Sequence, residues 1–143
     1  MFTLSHIHPM LVHFPIALTA VGFLFEFLYL FLKNNVWLTK AGYFLLLLGT
    51  LSALVTWLSG GLFTPDMAGM AGQIREQHAI WATVTLILLL ITSSIRTYIT
   101  VKHKEENRVL NNLAFVIYGI SMISVFITGN FGGTLVYNYM MPL

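Results

Sequence analysis

Four long apolar stretches alternate with short polar breaks along the chain. The first runs from about Met10 to Leu32 and stops at Lys33. The second runs from about Ala41 to Gly60, where a Gly-Gly pair closes it. The third runs from about Ala79 to Val101 and stops at Lys102. The fourth runs from about Leu110 to Thr128, with apolar residues continuing past a glycine cluster to Tyr137. A helix needs about 20 mostly apolar residues to cross a hydrocarbon core, and all four stretches are near that length. Leu, Ile, Phe and Val occur in runs, without the alternation of a barrel strand. Backbone groups in lipid need internal partners, so the stretches are helices. The joins around Asn34-Asn35 and Lys104–Asn107 are short, and a longer loop, Leu62 to Gln77, links the second stretch to the third. Short joins favour antiparallel neighbours. The pattern predicts an all-α, integral membrane, up-down four-helix bundle. No linker divides the chain, so residues 1–143 are expected to form a single membrane domain.

Composition agrees. Hydrophobic residues make up 57% of the 143, and charged residues only 8%. Soluble domains carry about 25% charged residues. Twelve Lys, Arg, Asp and Glu cannot coat a small soluble domain. A soluble monomer, a disordered chain and a nucleic-acid binder are excluded on this ground. There is no cysteine, which removes disulfides, thiolate catalysis, iron–sulfur clusters and covalently attached haem. No basic residue precedes the first stretch, which is also too long for a signal-peptide core. It is expected to be a retained span rather than a cleaved signal.

Charge then orients the chain. Lys33, Lys40, Arg96, Lys102, Lys104 and Arg108 gather at the two short joins, and Arg75 alone lies at the other end. The positive-inside rule places the short joins in the cytoplasm. The expectation is a multi-pass protein of a bacterial inner (plasma) membrane with both termini outside.

The histidines fall at the end opposite the positive charge. His6, His8, His13 and His78 share that end, whereas His103 sits among charges at the other. His13 is about one turn inside the first helix and His78 starts the third. These helices run in the same direction, so the two imidazoles share a depth whether the helices are adjacent or diagonal. The plainest account of one such His is a hydrogen bond to a carbonyl. A cluster ringed by aromatics points instead to bis-His ligation of a b-type haem. His13 and His78 are the expected axial ligands and His8 the next candidate. Phe14, Trp57, Phe63 and Trp81 are expected to pack the ring. Gly60, Gly61, Gly129, Gly132 and Gly133 can admit a bulky group there, or simply end or pack helices.

Other residues leave alternatives open. Pro9 suits a first helical turn. Pro15 either starts the helix or sits inside it, freeing the Leu11 carbonyl. Met10, Met67, Met70, Met140 and Met141 share the histidine end, so copper is the alternative cofactor, with Met140 as a further ligand; equally, Met is common apolar filler. Glu26 and Arg96 lie deep in the first and third helices, about 20 Å beyond His13 and 27 Å beyond His78. They are expected to pair, with a proton-linked role as the sharper reading.

His8-Pro9-Met10-Leu11-Val12-His13-Phe14-Pro15-Ile16 resembles the HPxxVHFPI opening of the family of predicted membrane proteins catalogued as domain of unknown function 2231. Gly132-Gly133-Thr134-Leu135-Val136-Tyr137 resembles its closing GGxLVY motif. Gly60-Gly61 and His78 also fit the pattern, and the resemblance spans essentially the whole chain. It implies a four-helix membrane protein. Some members are fused to cytochrome c-like domains, which leans toward electron transfer. After LVY the family usually carries x-His-Gly, but Asn138-Tyr139-Met140 stands here, which puts a two-haem arrangement in doubt.

The leading expectation is therefore a membrane-embedded haem b electron carrier, rather than a stand-alone enzyme. It would work at the outer face with a quinone or a periplasmic cytochrome, embedded in lipid, as a homo-oligomer or complex subunit. The alternatives are a copper-handling membrane protein and a non-catalytic subunit of a larger complex. No GxSxG, Walker or HExxH motif supports hydrolytic catalysis.

Overall fold

The fold is that of a computed structural model, and the described residues are 7–139. His6, Met140 and Met141, candidates from the sequence, lie outside them. The described residues form five helices: α1 (Ile7–Leu11), α2 (His13–Tyr29), α3 (Trp37–Phe63), α4 (Gly69–Val101) and α5 (Arg108–Tyr139). Taken together, α1 and α2 make one apolar span, and each of the other three helices is long and apolar enough to cross a membrane. The four-helix membrane bundle read from the sequence is the architecture found.

The helices pair as two antiparallel hairpins, α2 with α3 and α4 with α5. Contacts between α3 and α4 and between α2 and α5 close the ring. The first and third spans are therefore diagonal. The outside of the bundle is apolar, with Leu24, Phe44, Leu51, Ile87, Val116 and Phe126 exposed. The inside holds Leu46, Ala53, Leu86, Leu89, Tyr118 and Met122, together with many buried hydroxyls. Lipid is as apolar as Leu, so burying leucine between helices gains little, and small or hydrogen-bonding residues take the contacts. Thr50 and Ser93 join α3 to α4 at 2.7 Å, and Thr85 and Ser124 join α4 to α5 at 2.7 Å.

Three expected boundaries change. Helix α3 runs on through Gly60 and Gly61 to Phe63, so the glycine pair does not close it. The Leu62–Gln77 loop shrinks to residues 64–68, because α4 starts at Gly69. Its first turns are polar (Gln73, Arg75, Glu76, Gln77), so apolar length alone could not reveal them. The fourth helix takes the longer of its two expected extents rather than ending at Thr128. It continues through Gly129, Gly132 and Gly133 to Tyr139, so these glycines do not terminate it.

The first span carries a break in its ladder at Val12. Pro15 has no N–H for the Leu11 carbonyl. Thr56 Oγ1 on α3 donates to that carbonyl instead, at 3.3 Å. At the opposite end, Lys104 N donates to Ile99 O at 2.8 Å and His103 takes a left-handed φ of 50°, closing α4 with a Schellman-type turn.

Glu26 and Arg96 form a buried ion pair between α2 and α4. Arg96 Nη1 also donates to Asn111 Oδ1 at 2.9 Å. Gly42 makes the space: a Cβ there would lie 3.1 Å from Glu26 Cγ.

Candidate functional site

His8 and His78 meet at the end of the bundle opposite that ion pair. Their ring centroids are 6.2 Å apart and the ring planes are 84° apart. His8 is buried, on the short α1 that leans on α3. His78 lies two to three turns into α4.

Hydrogen bonds fix the tautomer of each ring. The Ser59 hydroxyl donates to Thr56 O at 2.7 Å, so toward His8 its oxygen accepts. His8 Nδ1–H therefore donates, to Ser59 Oγ at 2.9 Å and Thr56 O at 3.1 Å. His78 Nδ1 faces only a carbonyl, Thr128 O at 3.0 Å, and must donate too. In a neutral imidazole the other nitrogen then carries a lone pair. Both Nε2 atoms are thus Lewis bases, and no hydrogen bond among the described residues uses either. Metal-ligating histidines commonly have their second nitrogen held in this way by a carbonyl.

Glycines allow the rings to sit there. A Cβ on Gly60 would stand 2.9 Å from His8 Cε1, and one on Gly132 would stand 3.2 Å from His78 Cε1. Gly61 and Gly133 have nothing within 4 Å of such a Cβ. The family-like glycine pairs thus divide into one member against a histidine and one facing open space.

Both histidines line a cavity of about 1210 Å³ that all five helices bound. Ligand pockets are commonly roughly 300–1,000 Å³, so this one has room for a large flat group. Apart from His8, His13, His78 and Arg75, its wall is mainly apolar, with Pro15, Ala53, Val125 and Leu135 among the lining residues.

The other candidates are placed less centrally. His13 is exposed and its Nδ1–H donates to Pro9 O at 3.1 Å. It touches the cavity wall, but the ring packed against His78 is that of His8. His8 and His13 are five positions apart, about 140° around a helix, so one helix orientation cannot turn both across the bundle. Trp57 and Gly133 line the cavity, and Trp57 Nε1 is tied to Thr83 Oγ1 at 2.9 Å. Phe14 is 59% exposed and lies outside the cavity wall, as do Phe63 and the half-buried Trp81. Met10 lines the wall; Met67 and Met70 do not. No group of three or more His, Asp or Glu side chains suited to a metal ion is found among the described residues.

Sequence reasoning missed Thr56, Ser59 and Thr128 as the groups that orient the imidazoles, and Arg75 as a cavity residue. Thr56, Ser59 and Gly60 do share one face of α3 at i, i+3 and i+4, a small polar patch in an apolar helix.

The family described as Predicted membrane protein (DUF2231) matches residues 5–142. No curated protein and no solved structure matches the chain.

Proposed function

The chain belongs to the DUF2231 family of predicted membrane proteins, and within it we propose that this protein is a b-type haem carrier, with His8 and His78 as the two axial ligands. One observation carries the reading: two imidazoles from diagonal spans, each with Nδ1–H held by a carbonyl and Nε2 free of hydrogen bonds among the described residues, line one large, mainly apolar cavity. His8 and His78, whose ring centroids lie 6.2 Å apart, are the residues that would hold the haem iron. A copper ion would use the same pair, but it would leave the 1210 Å³ cavity without a purpose.

Haem would supply one-electron exchange at this site. The protein's own part is to hold and enclose it. Thr56, Ser59 and Thr128 keep each imidazole in the ligating tautomer and raise its basicity. The mainly apolar wall would surround the group, and burial tunes the potential of such a centre. The site lies at the end away from the basic joins, so electrons would enter or leave at the outer face of a bacterial inner membrane, with both termini on that side. A quinone or a periplasmic cytochrome is the fitting partner there.

The test is an absorption spectrum of the purified full chain in detergent, before and after dithionite. A Soret band with a sharp reduced α-band is expected. It should be lost or shifted in both His8→Ala and His78→Ala, and kept in His13→Ala. A colourless protein with stoichiometric copper, or one free of metal that copurifies with other subunits, would sink the proposal. Retention in His8→Ala with loss in His13→Ala would return the ligand role to His13.

A further inference from the structure

Arg75 shares the cavity with the two histidines, and it is the only Lys, Arg, Asp or Glu in the wall among the described residues. It precedes His78 by three residues on α4, so both sit on one helix face, with Arg75 about 4.5 Å nearer the helix start. Six of the seven basic residues lie at the other end of the bundle. Arg75 stands alone against that bias.

Its guanidinium is loosely satisfied. Nη1 faces Asp66 Oδ1 at 3.2 Å, and Nη2 reaches Thr64 O and Oγ1 only at 3.5 and 3.4 Å. Nε is buried with no hydrogen-bond partner. The Asp66 side chain is 99% exposed, and water screens such a pair strongly. A buried N–H of a charged group is costly to leave unpaired. The guanidinium fork matches a carboxylate with two parallel hydrogen bonds. A cation with a spare donor, a weakly held counter-ion and a place in an apolar wall is arranged to receive an anion from inside the cavity.

We propose that Arg75 anchors a carboxylate carried by the cavity's apolar ligand, and that Asp66 is the surface counter-ion it gives up on binding. The inference deepens the haem reading and rests on it for the ligand, since the two propionates of haem are such carboxylates. A fatty acid offers the same chemistry, an apolar body ending in a carboxylate.

The experiment titrates the full chain in detergent with haemin and with haemin dimethyl ester, which lacks the acid groups. Wild type should bind the free acid about tenfold more tightly than the ester, the size of one charge-assisted hydrogen bond. Arg75→Gln should lose that preference while binding the ester as wild type does, which also reports that the variant is folded. Should the Gln variant bind neither, Arg75→Lys takes its place, keeping the charge without the fork and losing part of the preference. Asp66→Asn should tighten the free acid and leave the ester unchanged. Equal binding of acid and ester by wild type, or a preference that survives in Arg75→Gln, overturns the role of Arg75 and leaves the haem reading standing. Weaker acid binding by Asp66→Asn overturns the exchange. If neither haemin binds, the haem reading falls, and oleate against methyl oleate decides the inference: an acid preference lost in Arg75→Gln supports it, and none overturns it.

Discussion

Gly60 and His8 are in such close register that a single methyl group would separate them. A Cβ on Gly60 would lie 2.9 Å from the His8 ring, and that ring is the one placed 6.2 Å from His78. Helix α3 therefore sets the position of the imidazole that α1 carries, the one proposed above as a haem ligand. Gly60→Ala should push the imidazole off its Thr56 and Ser59 acceptors, at a cost of about 1–3 kcal/mol for overpacking. Haem content, read as Soret absorbance per protein, should fall several-fold. Gly61→Ala, with nothing within 4 Å of its new methyl, should retain it. Equal content in the two variants would refute the steric account.

The Glu26–Arg96 pair makes a different prediction, about stability rather than cofactor. Arg96→Met leaves a carboxylate only 4% exposed without its counter-charge. Breaking a buried pair by removing one partner costs about 3–5 kcal/mol. Replacing both, as in Glu26→Leu with Arg96→Met, should recover most of that loss in a detergent unfolding titration. Additive losses in the double variant would show that the two groups act independently.

Tyr118 offers a test of helix approach. Its hydroxyl donates to Thr19 O at 3.0 Å, and a Cβ on Gly22 would stand 2.5 Å from the Tyr118 hydroxyl oxygen. Gly22→Ala should destabilise by about 1–3 kcal/mol. Tyr118→Phe should rescue part of the loss, because Leu45 and Gly42 also crowd the position. The coupling energy from the two single variants and the double variant is the measurement, and zero coupling would exclude the contact.

Thr56→Val removes the donor that serves the Leu11 carbonyl beside Pro15. Interhelical hydrogen bonds of this kind average about 0.6 kcal/mol in a membrane protein. Pro15→Ala supplies an N–H in its place, so Thr56→Val should cost less in that background. Unfolding free energies of the four proteins decide it; an unchanged cost would mean that Thr56 does not serve this carbonyl.

The site was half legible. His78 stood out as an imidazole at a helix start, and Gly60 and Gly133 as small residues at the same end. That His8 rather than His13 packs against His78 was not legible, because depth along the first helix favours His13 while rotation about it favours His8. That rotation is set by Thr56 and Ser59, some fifty positions away in sequence. Arg75 was read as an exception to a charge bias, and only the packed helices place it in the wall of the histidine cavity.

The sequence by itself determined the number of spans, their up-down order and the charge difference between the two ends. These follow from transfer free energies that sum residue by residue along a segment, and from where the lysines and arginines fall. Tertiary structure decided which faces meet: His8 with His78, Glu26 with Arg96, Thr85 with Ser124. In lipid the apolar side chains have no preference between a neighbouring helix and the surrounding chains, so hydropathy does not select a face. Small residues and hydrogen bonds between distant positions do, and those pairings exist only once the helices have packed.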